Sequence, residues 1–445
     1  MSRRGANLGL FLAVVSIVAG CGSSGSKVEN RSTPDSQAAA TTTTTPGVTA
    51  TSVTFATHQP LSGPIASGYS EIATASQAFF NYVNAHGGVF GRQIKLVIKD
   101  DSYNPTNTVN VIHQLVQQGN VFGIYEGLGT ATHTTVASYL NASKVPDLFV
   151  ASGCSCWDDG TKQPYTFGWQ PNYIVEGKIL GQYIKRNFRG KKIGVLYQDD
   201  GFGRGGLAGI KAEVPASDIV AKQSYKPGAT TLLTQVTSIA DSKADVMVDF
   251  TVPVYTAIAQ IAASKIGYKP QLVVSGAGSD PVTVGGLLKT LSNGDASQAG
   301  LIEGAITDSF LPSAADTANA WVQLFMKIRS QYDANAPWDG NVEYGMASAY
   351  TLVQALQAAG ENLTRQGLID AINQHGASWT GPGLVPFGYS DTDHGGYGGA
   401  EIGQITNGNV VLSGQPLTTT PEPGSPVTPY SGVQPAPPAS GIPSG

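Results

Sequence analysis

The residues with the clearest capacity for chemistry in this 445-residue chain lie between Gly123 and Gly153, reading GIYEGLGTATHTTVASYLNASKVPDLFVASG. Two turns of small residues, Gly127-Leu128-Gly129-Thr130 and Ala151-Ser152-Gly153, each follow a short apolar run. Turns of this composition can present bare backbone N–H groups. With a helix N-terminus behind the first turn, they suit a carboxylate or another oxyanion. The same glycines also serve as tight-turn residues, and the stretch alone leaves both readings open.

The other reactive residue types form no catalytic set. Gly201-Phe202-Gly203-Arg204-Gly205-Gly206 matches G-x-G-x-x-G, but no acidic residue for a ribose follows the next strand, so a dinucleotide is not expected. None of the six histidines is paired as H-x-x-x-H. His58, at the end of the first strand, is a candidate cleft contact; His113 and His133, on helical stretches, are expected at the surface. Asp100-Asp101 and Asp199-Asp200 stand at strand ends, where carboxylates serve either acid–base chemistry or capping. No nucleophile, base and oxyanion hole occur together, so an enzyme is not expected. No cofactor and no metal are expected either. Cys154 and Cys156 are one residue apart, where a bridge is a possible but strained disulfide.

The N-terminus has its own logic. Arg3-Arg4 precede an apolar run from Leu8 to Ala19, too short to span a bilayer. The run ends in Val18-Ala19-Gly20-Cys21, which resembles the bacterial lipobox. Residues 1–21 therefore read as a lipoprotein signal with Cys21 as the lipidated residue, and residues 22–50 as a Ser/Thr-rich tether. An anchored, extracytoplasmic location at the outer face of the cytoplasmic membrane follows. Net charge is -5 with no basic run, which argues against nucleic acid as a partner.

The elements that must position the two turns alternate. Apolar strands such as Val53–Thr57, Ile94–Lys99, Ile193–Tyr197 and Val246–Phe250 are separated by helical stretches such as Tyr69–Ala85, the helix opened by Pro105, and Ile174–Phe188. Such alternation predicts an α/β fold with parallel sheets, and the number of strands predicts two lobes. Ligand in such sheets sits at the carboxyl ends of the strands. The Gly-rich run at 201–206 is read as a loop leading into a helix. Residues 415–445, repeating Pro, Thr, Ser and Gly, are expected to be disordered. Trp169-Gln170-Pro171-Asn172-Tyr173 joins the two sets of strands and is the expected hinge.

Several motifs in register resemble the type I periplasmic binding proteins, nearest the branched-chain amino acid receptors of ABC importers. They are Pro60-Leu61-Ser62-Gly63-Pro64, Asn84-Ala85-His86-Gly87-Gly88-Val89-Phe90-Gly91-Arg92, Lys99-Asp100-Asp101, Val145–Gly153, Gly168–Tyr173 and Tyr197–Gly203. The resemblance implies two Rossmann-like lobes joined by three crossings: residues 51–168 plus 307–381, and residues 169–306 plus 382–414. It implies a solute-binding monomer that hands its ligand to permease subunits; a ligand-sensing receptor lipoprotein is the alternative.

By the same resemblance, Ser62, Gly127, Leu128, Gly129, Thr130, Ala151, Ser152, Gly153 and Tyr173 fall on the ligand's carboxylate side. Phe202, Thr251, Val252 and Gly276 fall on the second lobe. The family's ammonium-binding acid falls on Gly276, counting from Gly267, and its aromatics fall on Phe202, Val252 and Gly68, beside Tyr69. The cation half of the site therefore reads as lost unless Asp249 or Asp280 replaces it. A carboxylate- or amide-bearing solute without an ammonium is the resulting expectation, with leucine, isoleucine and valine binding poorly.

Overall fold

The computed structural model describes residues 45–444. Cys21 and residues 22–44 of the expected tether lie outside the described residues. Residues 45–50 are already part of the body: Val48 bridges to Val53, and the Gly47 amide donates to Asn120 Oδ1 at 3.0 Å.

The first lobe opens with β1 (Ser52–Gln59), α1 (Ile72–Ala85), β2 (Gln93–Asp100), α2 (Pro105–Gln118) and β3 (Gly123–Tyr125). It continues with two short helices, α3 (Thr130–His133) and α4 (Ala137–Ala142), then β4 (Asp147–Val150) and β5 (Thr166–Gly168). The five strands form one parallel sheet in the order β2-β1-β3-β4-β5. Local signals explain the helix starts. Asn104 accepts the amides of Thr106 and Asn107, and Pro105 occupies the first turn, where its missing N–H costs nothing.

The second lobe runs through α5 (Tyr173–Asn187), β6 (Ile193–Gln198), α6 (Gly201–Glu213), β7 (Ile219–Tyr225), α7 (Leu233–Asp241), β8 (Val246–Phe250), α8 (Pro253–Lys265), β9 (Gln271–Val274), α9 (Pro281–Leu291) and β10 (Ile306–Ser309). Three helices, α10 (Ala320–Tyr332), α11 (Gly340–Ala359) and α12 (Arg365–His375), return to the first lobe, where Trp321, Phe325, Met346 and Leu352 join its core. A hairpin of β11 (Phe387–Gly388) and β12 (Gly396–Tyr397) follows, then β13 (Gly399–Thr406), β14 (Asn409–Leu412), β15 (Leu417–Thr418) and β16 (Thr428–Pro429). The second sheet is parallel from β7 through β6, β8 and β9 to β10, and antiparallel from β13 onward.

This architecture bears out the two-lobed α/β expectation but moves two boundaries. β10 pairs with β9 and β13, so residues 307–309 belong to the second sheet, and the second crossing follows Ser309. The segment 382–397 packs into the first lobe through Val385, Tyr389 and Tyr397, so the third crossing falls at Tyr397–Gly399. The Gly-rich run at 201–206 is not a loop. Asp200 accepts the amides of Phe202 and Gly203, and the run forms the first turns of α6. A Cβ on Gly209 would strike the backbone of α5 at Ile174 and Lys178, and one on Gly177 would strike Gly206 O, so Gly177 and Gly209 let the two helices pack backbone to backbone.

The three crossings meet at Trp169. Its ring, fully buried, lies 5.4 Å from Phe310 after β10 and 5.4 Å from Tyr397 of β12, and its Nε1 donates to Thr351 Oγ1 at 3.0 Å.

The Pro-rich segment is folded, against expectation. β15 and β16 extend the second sheet, and the Lys178 ammonium of α5 donates to the carbonyls of Thr420 at 2.8 Å and Glu422 at 3.3 Å. Farther on, Trp321 Nε1 donates to Pro435 O and Tyr82 Oη to Ser440 O, both at 2.6 Å on the first lobe. The segment thus crosses from one lobe to the other. Its weak apolar content is offset by side chains of the body that supply donors to its carbonyls.

Candidate functional site

The carboxyl ends of the strands of both sheets face a cavity of about 260 Å³ between the lobes. The first lobe contributes Tyr69, Tyr103, Leu128, Gly129, Thr130 and Ala151; the second contributes Tyr173, Glu176, Phe202, Val252, Gly276, Asp280 and Asp308; α11 adds Asn341, Glu343 and Tyr344. The lobes touch around it. Tyr69 Oη donates to Ala277 O at 2.6 Å, Asn341 Nδ2 to Thr283 Oγ1 at 3.0 Å, and the Gly340 amide to Asp280 Oδ2 at 3.1 Å.

Eight of the expected residues line this cavity: Leu128, Gly129, Thr130, Ala151, Tyr173, Phe202, Val252 and Gly276. Tyr173 and Phe202 form one wall, ring centroids 4.5 Å apart. Ser62, Gly127, Ser152, Gly153 and Thr251 are placed outside the lining. Ser62 is exposed and donates to Asp100 Oδ2 at 2.5 Å, closing a surface turn. Ser152 is buried behind Thr130, with the hydroxyls 2.6 Å apart, and Gly153 backs onto Pro171 and Tyr173. Thr251 bonds Thr256 at 2.6 Å inside the second lobe.

The backbone donors expected to be bare are largely engaged with each other. Leu128 N donates to His58 O, Gly129 N to Ala151 O, Ala151 N to Gly127 O and Ser152 N to Val150 O, at 2.8–3.2 Å. The two turns pair as a short parallel bridge. What remains for an oxyanion is the first turn of α3, whose amides lack partners within the helix. The anion cradle is therefore much smaller than the sequence implies.

Beneath the first turn lies a row of four buried side chains. His58 Nδ1 meets Asp101 Oδ2 at 2.8 Å, His58 Nε2 meets His133 Nδ1 at 2.9 Å, and His133 Nε2 meets Asp147 Oδ2 at 2.9 Å. All four are fully buried, so His58 is not a cleft contact and His133 is not a surface residue. Gly127 is glycine because a Cβ there would strike both rings. Three bonds join the four side chains, so the row shares three protons among its two rings and two carboxyls. Burial pushes His58 down, and its bond to Asp101 opposes that.

The acidic side of the cleft was missed. Glu176, in the first turn of α5, accepts Ser275 Oγ at 2.7 Å and the Gly276 amide at 2.8 Å through Oε1. Asp308, at the end of β10, accepts the same amide at 3.1 Å. The two carboxyls lie against each other, and burial pushes both upward, Asp308 further through repulsion from Glu176. The expected loss of the acid at Gly276 is thus corrected: two carboxyls reach that point from α5 and β10. A Cβ on Gly276 would crowd the Asp308 carbonyl at 2.8 Å. Asp280 also lines the cavity and caps α9 through the Thr283 amide at 2.7 Å, whereas Asp249 lies buried in the second sheet and does not. The remaining paired acids act as caps and structural partners: Asp200 on α6, and Asp199 with Arg204 at 2.6 Å. Cys154 and Cys156 are bridged.

A sequence profile described as periplasmic binding protein matches residues 52–409. The chain belongs to this family. Members are extracytoplasmic binding proteins, and the two lobes with a cleft between them are the form expected of one. Among curated relatives, the Leu/Ile/Val-binding protein BraC3 of Rhizobium johnstonii is 22% identical over 204 residues, covering 44% of this chain and 53% of the relative. The chain therefore matches about half the length of that relative. Among solved structures, a fatty acid ABC transporter substrate-binding protein from Thermomonospora curvata superposes with a TM-score of 0.71 at 23% identity, covering 85% of this chain and 95% of that one. A branched-chain amino acid ABC transporter protein from Thermus thermophilus, with bound valine, superposes with a TM-score of 0.70 at 19% identity, covering 83% and 97%. Among the described residues, no helix is long and apolar enough to cross a membrane.

Glu176 and Asp308 carried no sequence signal, because they stand far apart in the chain and neither sits in a turn. Only the fold brings them to Gly276.

Proposed function

We propose that this chain is the lipid-anchored substrate-binding component of an ABC importer, holding a small solute between its lobes and presenting the closed form to permease subunits at the outer face of the cytoplasmic membrane. The observation that carries the reading is the cavity itself. It lies at the strand ends of both sheets, three crossings gather at Trp169 beside it, and Tyr69, Asn341 and Asp280 join the lobes across it. A solute that bonds both sides stabilises closure by its differential affinity for the closed form. Between carboxylate- and amide-bearing solutes, the cleft's charge favours the amide, since Glu176, Asp280, Asp308 and Glu343 face the cavity and a carboxylate there meets like charge.

The proposal is tested by isolating the protein from its native host and identifying what it carries. Native mass spectrometry should show one small molecule per chain, released on denaturation. A protein that carries no solute, and that no solute stabilises, contradicts the proposal. For the anchor, Cys21→Ala should move the protein from the membrane fraction to the soluble fraction; retention in the membrane refutes lipidation.

A further inference from the structure

The charges lining the cavity are all of one sign. Five carboxyl groups, from Glu176, Asp280, Asp308, Asp339 and Glu343, face it, and no lysine, arginine or histidine is among its lining residues. Two of these acids have an oxygen with no hydrogen-bond partner: Glu176 Oε2, on a side chain 5% exposed, and Glu343 Oε1, on one 1% exposed. Buried acceptors of this kind are costly unless something donates to them. The wall also carries aromatic rings, Tyr69, Tyr173, Phe202 and Trp338 among them, beside aliphatic side chains such as Ile72, Leu128 and Val252. A face of rings beside carboxylates in a half-closed cleft suits a positive charge twice over, through the ring quadrupole and through charge-assisted hydrogen bonds.

We propose that the cleft takes an organic cation, a primary amine or guanidinium whose charged head sits between Glu176 and Asp308 at Gly276 and whose hydrocarbon part lies against the aromatic wall. The inference rests on the reading of this cavity as the solute site, and it names the class of solute. An ordinary zwitterionic amino acid fits less well. Its carboxylate would enter a cavity with five carboxyls and no base, and two of the turn amides that might have held it, Gly129 and Ala151, are bonded across the turns.

The empty pair has a defined chemical state. Side by side and buried, Glu176 and Asp308 do not both ionise, so they share a proton. Tyr69 and Tyr173 face Glu176 and stay neutral, since burial raises both. A bound cation balances the single negative charge that the pair keeps, and its N–H groups donate to the free oxygens, Glu176 Oε2 among them.

The test uses the mature chain with butylamine, butylguanidinium and 1,4-diaminobutane as probes, against butyramide, butyrate and leucine. The cationic probes should raise the melting temperature more than the neutral, anionic and zwitterionic ones. Titration calorimetry should show the cationic probes binding more tightly than butyramide, a readout that needs no variant to fold. Glu176→Gln and Asp308→Asn, checked for folding by circular dichroism, should each weaken cation binding at least tenfold. The inference is overturned if no cationic probe stabilises the protein, or if butyramide or leucine binds as tightly as the amines. Those outcomes leave the solute-binding reading standing, because that reading fails only if the native protein carries no solute and none of any charge binds.

Discussion

Asp249→Asn should reverse part of the protein's pH dependence. Asp249 lies on β8 with no exposed surface; its Oδ2 accepts from Gln260 Nε2 at 3.4 Å and its Oδ1 has no partner. Burial pushes its carboxyl from an ordinary 3.8 to about 8, and the long bond from Gln260 offsets little of this. The folded chain therefore keeps a proton that the unfolded chain releases near pH 4. Below pH 4 both states hold it and the group has no effect. Between pH 4 and 8 the folded state alone holds it, and stability falls as pH rises, by about 1.4 kcal/mol per pH unit. From pH 5 to pH 8 that amounts to roughly 4 kcal/mol. Asparagine has the shape of the protonated acid and does not titrate. In urea unfolding followed by circular dichroism, the variant should be more stable than the parent by about 1.5 kcal/mol at pH 5 and by roughly 5 kcal/mol at pH 8. A difference of equal size at both pH values would refute the reasoning, since a packing effect does not depend on pH.

Other perturbations have equally definite outcomes. Asp147→Asn disturbs the buried acceptor of His133 Nε2 and Thr166 Oγ1, so it should cost about 1–3 kcal/mol and lower the melting temperature by at least roughly 2 °C; an unchanged melting temperature would mean that these bonds do not hold the row together. Deleting residues 415–445 removes the acceptors of Lys178, Trp321 and Tyr82 and should destabilise the chain by at least about 2 kcal/mol; an unchanged urea midpoint would show that the segment is not part of the folded body. Gly127→Ala drives a methyl into His58 and His133 and should cost about 1–3 kcal/mol, measured the same way; a neutral effect would place the turn elsewhere.

Much of the fold was legible because it depends on local pattern. Apolar strands alternate with amphipathic helices, and caps such as Asn104 and Pro105 mark where helices begin. The errors fall where tertiary contact overrides local preference. Four glycines at 201–206 read as a loop because glycine disfavours helix, yet the Asp200 cap and the close approach of α5 hold them helical. The Pro-rich segment reads as unfoldable by composition, yet Lys178 and Trp321 supply its missing partners. Eight of the thirteen expected contacts line the cleft, because two turns and two aromatic positions carry family motifs. The electrostatics were not. Whether a turn amide is free depends on the neighbouring turn, and whether a carboxyl reaches Gly276 depends on a helix and a strand that only the folded second lobe brings together.

The central claim is that the cavity between the lobes holds a solute and that holding it draws the lobes together. Small-angle X-ray scattering on the mature chain tests this most directly, measured alone and then saturated with the solute recovered from the native protein. The account predicts a smaller radius of gyration in the saturated state. A radius that does not change at saturation, with binding confirmed by calorimetry in the same sample, would contradict it.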